Sequence, residues 1–183
     1  MAASPSQVVA WTPPLAVHFE QPRWYVACTS ANHEKRVAER LGVREVECFL
    51  PLYHSVRRWK DRRMTVHAPL FPGYVFVHLA LIERLRVLEV PGVARLVSFN
   101  GLPAALPEDE IERLRTGLAC GVIAEPHPYL TAGRRVRIVA GPLAGFDGII
   151  LRQKGKARVV LSIDLIQRSV VVDADAADLE LAP

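Results

Sequence analysis

The sequence predicts an α+β protein in two parts: an α/β or α+β sandwich with helices on a small sheet, then a small all-β barrel. Three observations carry this. Strand-like and helix-like segments alternate between about residues 23 and 120. Residues 121–132 hold Pro126 and Pro128 and keep neither a helical nor a strand period. From Gly133 to Pro183, short Val- and Ile-rich runs are separated by turn residues, the pattern of closely spaced barrel strands.

The first part can be read element by element. Residues 1–22 are rich in Ala, Ser, Pro and Gln and are expected to form a disordered extension. Trp24 to Thr29 is strand-forming, and a helix follows with Asn32 or Ser30 as its cap, Glu34 in its first turn and Gly42 at its end. Val46 to His54 is a second strand bent at Pro51, and Met64 to Ala68 runs back antiparallel, with Lys60 and Asp61 at the hairpin tip. Ile82 to Glu89 suits a short helix stopped at Pro91-Gly92. Asn100-Gly101 predicts a hairpin between Val93–Phe99 and Leu102–Leu106, because both central residues of a type I′ turn need positive φ. Pro107 opens a helix with Glu108, Asp109 and Glu110 in its first turn and Ile111, Leu114 and Leu118 along one face.

Between these lies the most apolar stretch, Pro69 to Leu79. Side chains alternate across a strand, so Gly73, Val75, Val77 and Leu79 point one way while Tyr74, Phe76 and His78 point the other. Such a strand is either covered on both faces or has one face on the core and the other offered to a partner. Pro72 and Gly73 should kink the chain just before it.

Charge is uneven along the chain. Between Arg57 and Arg63 five basic residues (Arg57, Arg58, Lys60, Arg62, Arg63) face one acid, Asp61, an excess of four that equals the net +4 of all 183 residues. The run is either a solvated hairpin tip or a phosphate contact with Trp59 as a stacking surface.

Other chemistries find no support. The cysteines Cys28, Cys48 and Cys120 are odd in number and widely spaced, which suggests neither disulfides nor a zinc knuckle and fits a reducing cytoplasm. No signal-peptide pattern and no apolar run of membrane-spanning length is present, so a soluble, cytoplasmic chain with no membrane partner is expected. The six histidines lack metal-binding spacing, and no nucleophile elbow or protease signature occurs. Gly141, Gly145 and Gly148 precede β-type residues rather than a helix, so they read as turns and not as a phosphate loop. An enzyme, a cofactor and a metal site are therefore not expected. Phe146 reads as either a core plug or an exposed contact.

Trp24-Tyr25-Val26, Phe71-Pro72-Gly73-Tyr74-Val75-Phe76-Val77 and Pro91-Gly92-Val93 together resemble the N-terminal domain of the NusG transcription elongation factors. Gly133, Val136, Gly141-Pro142, Phe146 and Gly148 resemble the KOW barrel that ends those proteins. The resemblance implies a ferredoxin-like sandwich over residues 23–120, a linker over 121–132 and an SH3-like β-barrel over 133–183. It implies docking on the clamp helices of the largest subunit of RNA polymerase, bridging of the DNA channel and suppression of pausing. Matched by position, Phe71, Tyr74, Phe76, Leu96 and Phe99 would receive the clamp helices, and the basic hairpin would lie toward upstream or non-template DNA.

Residues 164–171 (DLIQRSVV) stand where housekeeping members carry G-R-x-T-P-V-E-L, which is closer to the specialised, RfaH-like paralogues. Binding of the termination factor Rho is accordingly not carried over, whereas a small-subunit ribosomal protein remains a candidate partner through Phe146, Leu165 and Ile166. Three readings follow: a specialised antiterminator, a housekeeping elongation factor, or a ribosome-associated RNA-binding module sharing only the barrel. One member type of the family folds its last domain as a helical hairpin, but the β-branched Val159, Val160, Ile163, Val170, Val171 and Val172 favour strands here. The linker is expected to let the two domains reorient independently, leaving Tyr74 and Phe76 free for binding.

Overall fold

A computed structural model describes residues 19–59, 62–130, 133–152 and 157–182. Residues 1–18 of the expected extension and the hairpin tip Lys60-Asp61 lie outside the described residues.

The first sheet is built from β1 (Arg23–Thr29), β2 (Glu47–Phe49), β5 (Tyr74–Leu79) and β6 (Val93–Leu96). These four strands are antiparallel and lie in the order β2-β5-β1-β6. Val75, Val77 and Leu79 pack with Tyr25 and Ala27 against Val37 and Leu41 of helix α1 (Glu34–Val43) and Val87 of the single-turn helix α2 (Leu85–Leu88). Alternation along β5 thus sets its aliphatic face on this core. Helix α1 begins differently from expectation. Asn32 takes a left-handed φ of 61°, and His33 occupies the cap position with no side-chain cap bond. The first turn is held instead by its acid: the Glu34 carboxylate, itself buried, accepts the Gly73 N–H at 2.8 Å. Gly42 lies inside the last turn, and Glu45, with φ 56°, makes the left-handed exit.

Pro51 divides the expected second strand between two sheets. Before it β2 pairs with β5, and after it β3 (Leu52–Trp59) pairs with β4 (Arg62–Pro69) in a separate two-stranded hairpin. The Asn100-Gly101 turn joins β7 (Ser98–Phe99) to β8 (Leu102–Pro103), with φ of 51° and 80° at its two central residues. Helix α3 (Glu108–Ala119) buries Ile111 and Leu114 against the sheet face opposite α1.

The remaining strands are β9 (Ala124–His127), β10 (Arg135–Ile138), β11 (Asp147–Arg152), β12 (Ala157–Ile163), β13 (Arg168–Ala174) and β14 (Leu179–Leu181). They form one six-stranded antiparallel sheet in the order β14-β10-β11-β12-β13-β9. The Val- and Ile-rich segments that disfavour helix are strands in the full chain. Residues 121–132 depart from the expected free linker, because β9 arises within them and pairs with β13. Pro126 is tolerated because β9 is an edge strand, where a missing N–H need not break a ladder. Past β9, the Leu130 N–H donates to Ser169 Oγ at 3.3 Å, and its carbonyl accepts from Ser162 Oγ at 3.1 Å. Leu130 then covers Ile149, Val160 and Val171.

The two parts do not stand apart. One buried cluster runs from Trp24, Val26, Phe71 and Phe76 through Ile111 and Leu114 to Leu161, Ile163 and Val170. Strand β5 is therefore covered on both faces.

Candidate functional site

The second face of the first sheet is built from aromatic side chains. Phe76 pairs across the ladder with Val26 and with Phe49, so these side chains share a face. The Phe49 and Phe76 rings stack at 6.1 Å between centroids, and Phe71, brought in by the Pro72-Gly73 turn, meets Phe76 edge-on at 5.5 Å. Trp24 lies beyond Val26 on the same face, 5.0 Å from the His78 ring. From α3, Arg115 reaches over both Trp24 (5.1 Å) and Phe49 (5.6 Å) and donates to Glu47 at 3.0 Å. That hydrogen bond holds the Glu47 carboxyl below the usual carboxylate range, and the neighbouring His78 adds to the effect.

Of the two arrangements that the alternation allows, the structure takes the covered one: the chain's own C-terminal sheet closes this face. Phe71 is 1% exposed and Phe76 0%. The physical reason is area: a contiguous aromatic patch left in water is costly, and the nearest apolar surface able to cover it is tethered to the same chain. Tyr74 is half-buried at the rim, with the Arg168 guanidinium 5.8 Å from its ring centroid. In this arrangement the two parts share one buried cluster.

Two other expected members of the face lie elsewhere. Leu96 pairs with Ala27, which pairs with Val75, so all three belong to the α1 side, and Leu96 is buried there. Phe99 stands on the separate β7–β8 hairpin, 72% exposed. Phe146, Leu165 and Ile166, expected as partner contacts of the barrel, are partly or fully buried against the shared cluster. Phe146 is thus neither purely a plug nor free: Arg113 of α3 lies 5.8 Å from its ring centroid and donates to the Gly145 carbonyl at 2.9 Å.

For the basic run, the backbone places Arg57, Arg58, Arg62 and Arg63 next to the β3–β4 tip, with Arg58 directly opposite Arg63. Lys60 lies outside the described residues. Reading by pattern missed Phe49 and the arginines 113, 115 and 168. One signal was present: Gly117 inside an otherwise regular helix marks a close approach. A Cβ there would collide with the Leu143 side chain, which the β10–β11 loop sets against α3.

Among the described residues no cluster of His, Cys, Asp or Glu could hold a metal ion, and no helix is long and apolar enough to cross a membrane. The described residues thus bring together an aromatic face and, on a separate hairpin, the strand positions of four arginines. The family described as "Transcription termination factor nusG" matches residues 22–115, more than half of the chain. The chain belongs to the NusG family of transcription termination/antitermination factors. It is similar to the transcription termination/antitermination protein NusG of Lactococcus lactis, 29% identical over 178 residues covering 90% of this chain and 95% of that protein. NusG of Deinococcus radiodurans is also 29% identical, over 83% of this chain and 95% of its own length. Among solved structures, one described as "Domain interaction in Thermotoga maritima NusG" superposes with a TM-score of 0.57 at 22% identity, covering 89% of this chain and 98% of the other.

Proposed function

We propose that this chain is a transcription elongation and antitermination factor that docks on the clamp helices of RNA polymerase through Phe71, Tyr74, Phe76 and the adjoining Phe49. The observation that carries this is the contiguous aromatic face, which lies on the family-matched segment and is large enough to need a cover. Its ring pairs at 5.5 and 6.1 Å make a preformed apolar surface. Because the C-terminal sheet occupies that surface here, docking requires the sheet to leave. Departure would free Phe146, Leu165 and Ile166 at the same time, and with them a candidate contact for a small-subunit ribosomal protein. The C-terminal sheet is read as a KOW-type barrel and the first part as a ferredoxin-like sandwich. The β3–β4 hairpin would face upstream or non-template DNA.

Two versions of this function are supported by different observations. Residues 164–171 depart from the housekeeping pattern and favour an operon-directed paralogue. The similarity to proteins named NusG along nearly their whole length favours the housekeeping factor. Binding of the full chain to a clamp-helix fragment tests the shared reading: wild type should bind and Tyr74→Ala should bind at least tenfold more weakly, whereas equal binding would refute it. Mapping transcripts after gene deletion separates the two versions, since an operon-directed factor alters a few long transcripts and a housekeeping factor alters most.

A further inference from the structure

The carboxyl group of Glu110 lies between the two parts of the molecule. It comes from the first turn of α3, and on one side it adjoins Phe71, Leu114, Phe146, Leu161 and Ile163 in a narrow apolar space. On the other it opens into a cleft shared with Asp109, Arg113, Asp147 and Asp164. A carboxylate in such a place needs donors, and the nearest cation is already engaged. Arg113 gives its guanidinium to Asp109 and to the Gly145 carbonyl, and among the described residues no side-chain hydrogen bond reaches the Glu110 carboxyl.

We propose that Glu110 is a proton-operated latch: protonated, it lets the C-terminal sheet close over the aromatic face, and ionised, it drives the two parts apart. The charged groups around it favour this. Across the cleft stands Asp164, which already accepts a hydrogen bond from the Tyr129 hydroxyl at 3.0 Å and lines the cleft opposite α3. Asp147 is paired with Arg137 through two hydrogen bonds of 2.6 and 2.8 Å, so that arginine is not free to neutralise Glu110. On α3 itself Asp109 repels and Arg113 attracts. In the closed arrangement burial, then Asp164 and Asp109, push the Glu110 carboxyl up to about 7 from the ordinary 4.5, against the pull of Arg113.

The sign of the effect follows from linkage. The closed form holds the proton more tightly than the open form, so closure strengthens as pH falls from about 7 toward 4.5 and is at its weakest above 7. The latch belongs to the closed arrangement whatever the uncovered face binds; only its bearing on transcription rests on the polymerase reading. The test therefore uses no polymerase.

NMR relaxation dispersion on the methyl groups of Leu143 and Ile163 in the full chain would measure the open fraction at pH 7 and pH 5.5. The ratio of closed to open should rise by roughly tenfold over that interval. Glu110→Gln should be more closed than wild type at pH 7 and should lose the response. Asp164→Asn should move the response to lower pH. A wild-type ratio that is flat or moves the opposite way overturns the latch, as does a Glu110→Gln chain that keeps the wild-type response. If Glu110→Gln does not fold, an unshifted response in Asp164→Asn overturns it equally.

Discussion

Leu143 packs into the gap left on helix α3 by the absent side chain of Gly117. The packing joins the β10–β11 loop to the first part of the chain, beside the Arg113 hydrogen bond to Gly145. Replacing Gly117 with Leu should fill the gap and lift the loop away, although Leu is a better helix former than Gly by about 1 kcal/mol. Overpacking costs about 1–3 kcal/mol, enough to shift the closed-to-open balance by about fivefold to a hundredfold. Small-angle scattering should show a larger radius of gyration with helix content kept by circular dichroism. An unchanged radius would mean that the notch does not hold the parts together.

The two faces of β5 should respond to truncation more alike than strand parity alone predicts. Val75→Ala should lower stability by about 1–3 kcal/mol through lost burial and a cavity. Phe76→Ala, at the centre of the shared cluster, should cost about 3–5 kcal/mol in the full chain. Tyr74→Ala, at the rim, should cost less than either and weaken clamp-helix binding more than it weakens folding. Melting transitions measured beside affinities would separate the three, and a Phe76→Ala chain as stable as wild type would contradict the closed packing.

Much of this was legible along β5, since alternation of Val75 and Val77 with Tyr74 and Phe76 assigns the two faces without any structure. What the alternation left open was whose surface meets the aromatic side. A strand apolar on both faces reads the same whether a partner or the chain itself covers it. Strand β9 was hidden for another reason: Ala124-Glu125-Pro126-His127 has no apolar alternation, and its pairing is decided by the free edge of β13. Leu96 was assigned by its matched position in the family, whereas its cross-strand register with Ala27 decides which face it occupies.

Glu34 should matter to the aromatic turn rather than to α1 alone. Its carboxylate is buried and accepts the Gly73 N–H, so Glu34→Ala leaves that donor unpaired at a cost of about 1–3 kcal/mol. Glu34→Gln keeps an acceptor and should recover most of the loss. Chemical denaturation of both variants checks this; equal destabilisation by Ala and Gln would point to charge instead of the hydrogen bond.

The basic hairpin should act on nucleic acid and leave stability alone. Changing Arg57, Arg58, Arg62 and Arg63 to Gln should flatten the salt dependence of binding to an elongation complex, by about 0.9 in logarithmic slope for each phosphate that is no longer neutralised. A slope that stays as steep as wild type would reduce these residues to a solvated tip.

Because β9 is fastened to β13, the covalent leash between α3 and the C-terminal sheet shortens to Cys120 through Ile123. Those residues span roughly 14 Å when fully extended. An undocked sheet can swing about that short hinge but cannot drift away, so its effective concentration at the aromatic face stays high, on the millimolar scale typical of short tethers. Any protein that holds the face open must outcompete a cover that stays tethered beside it, and once it lets go the cover returns without a diffusional search.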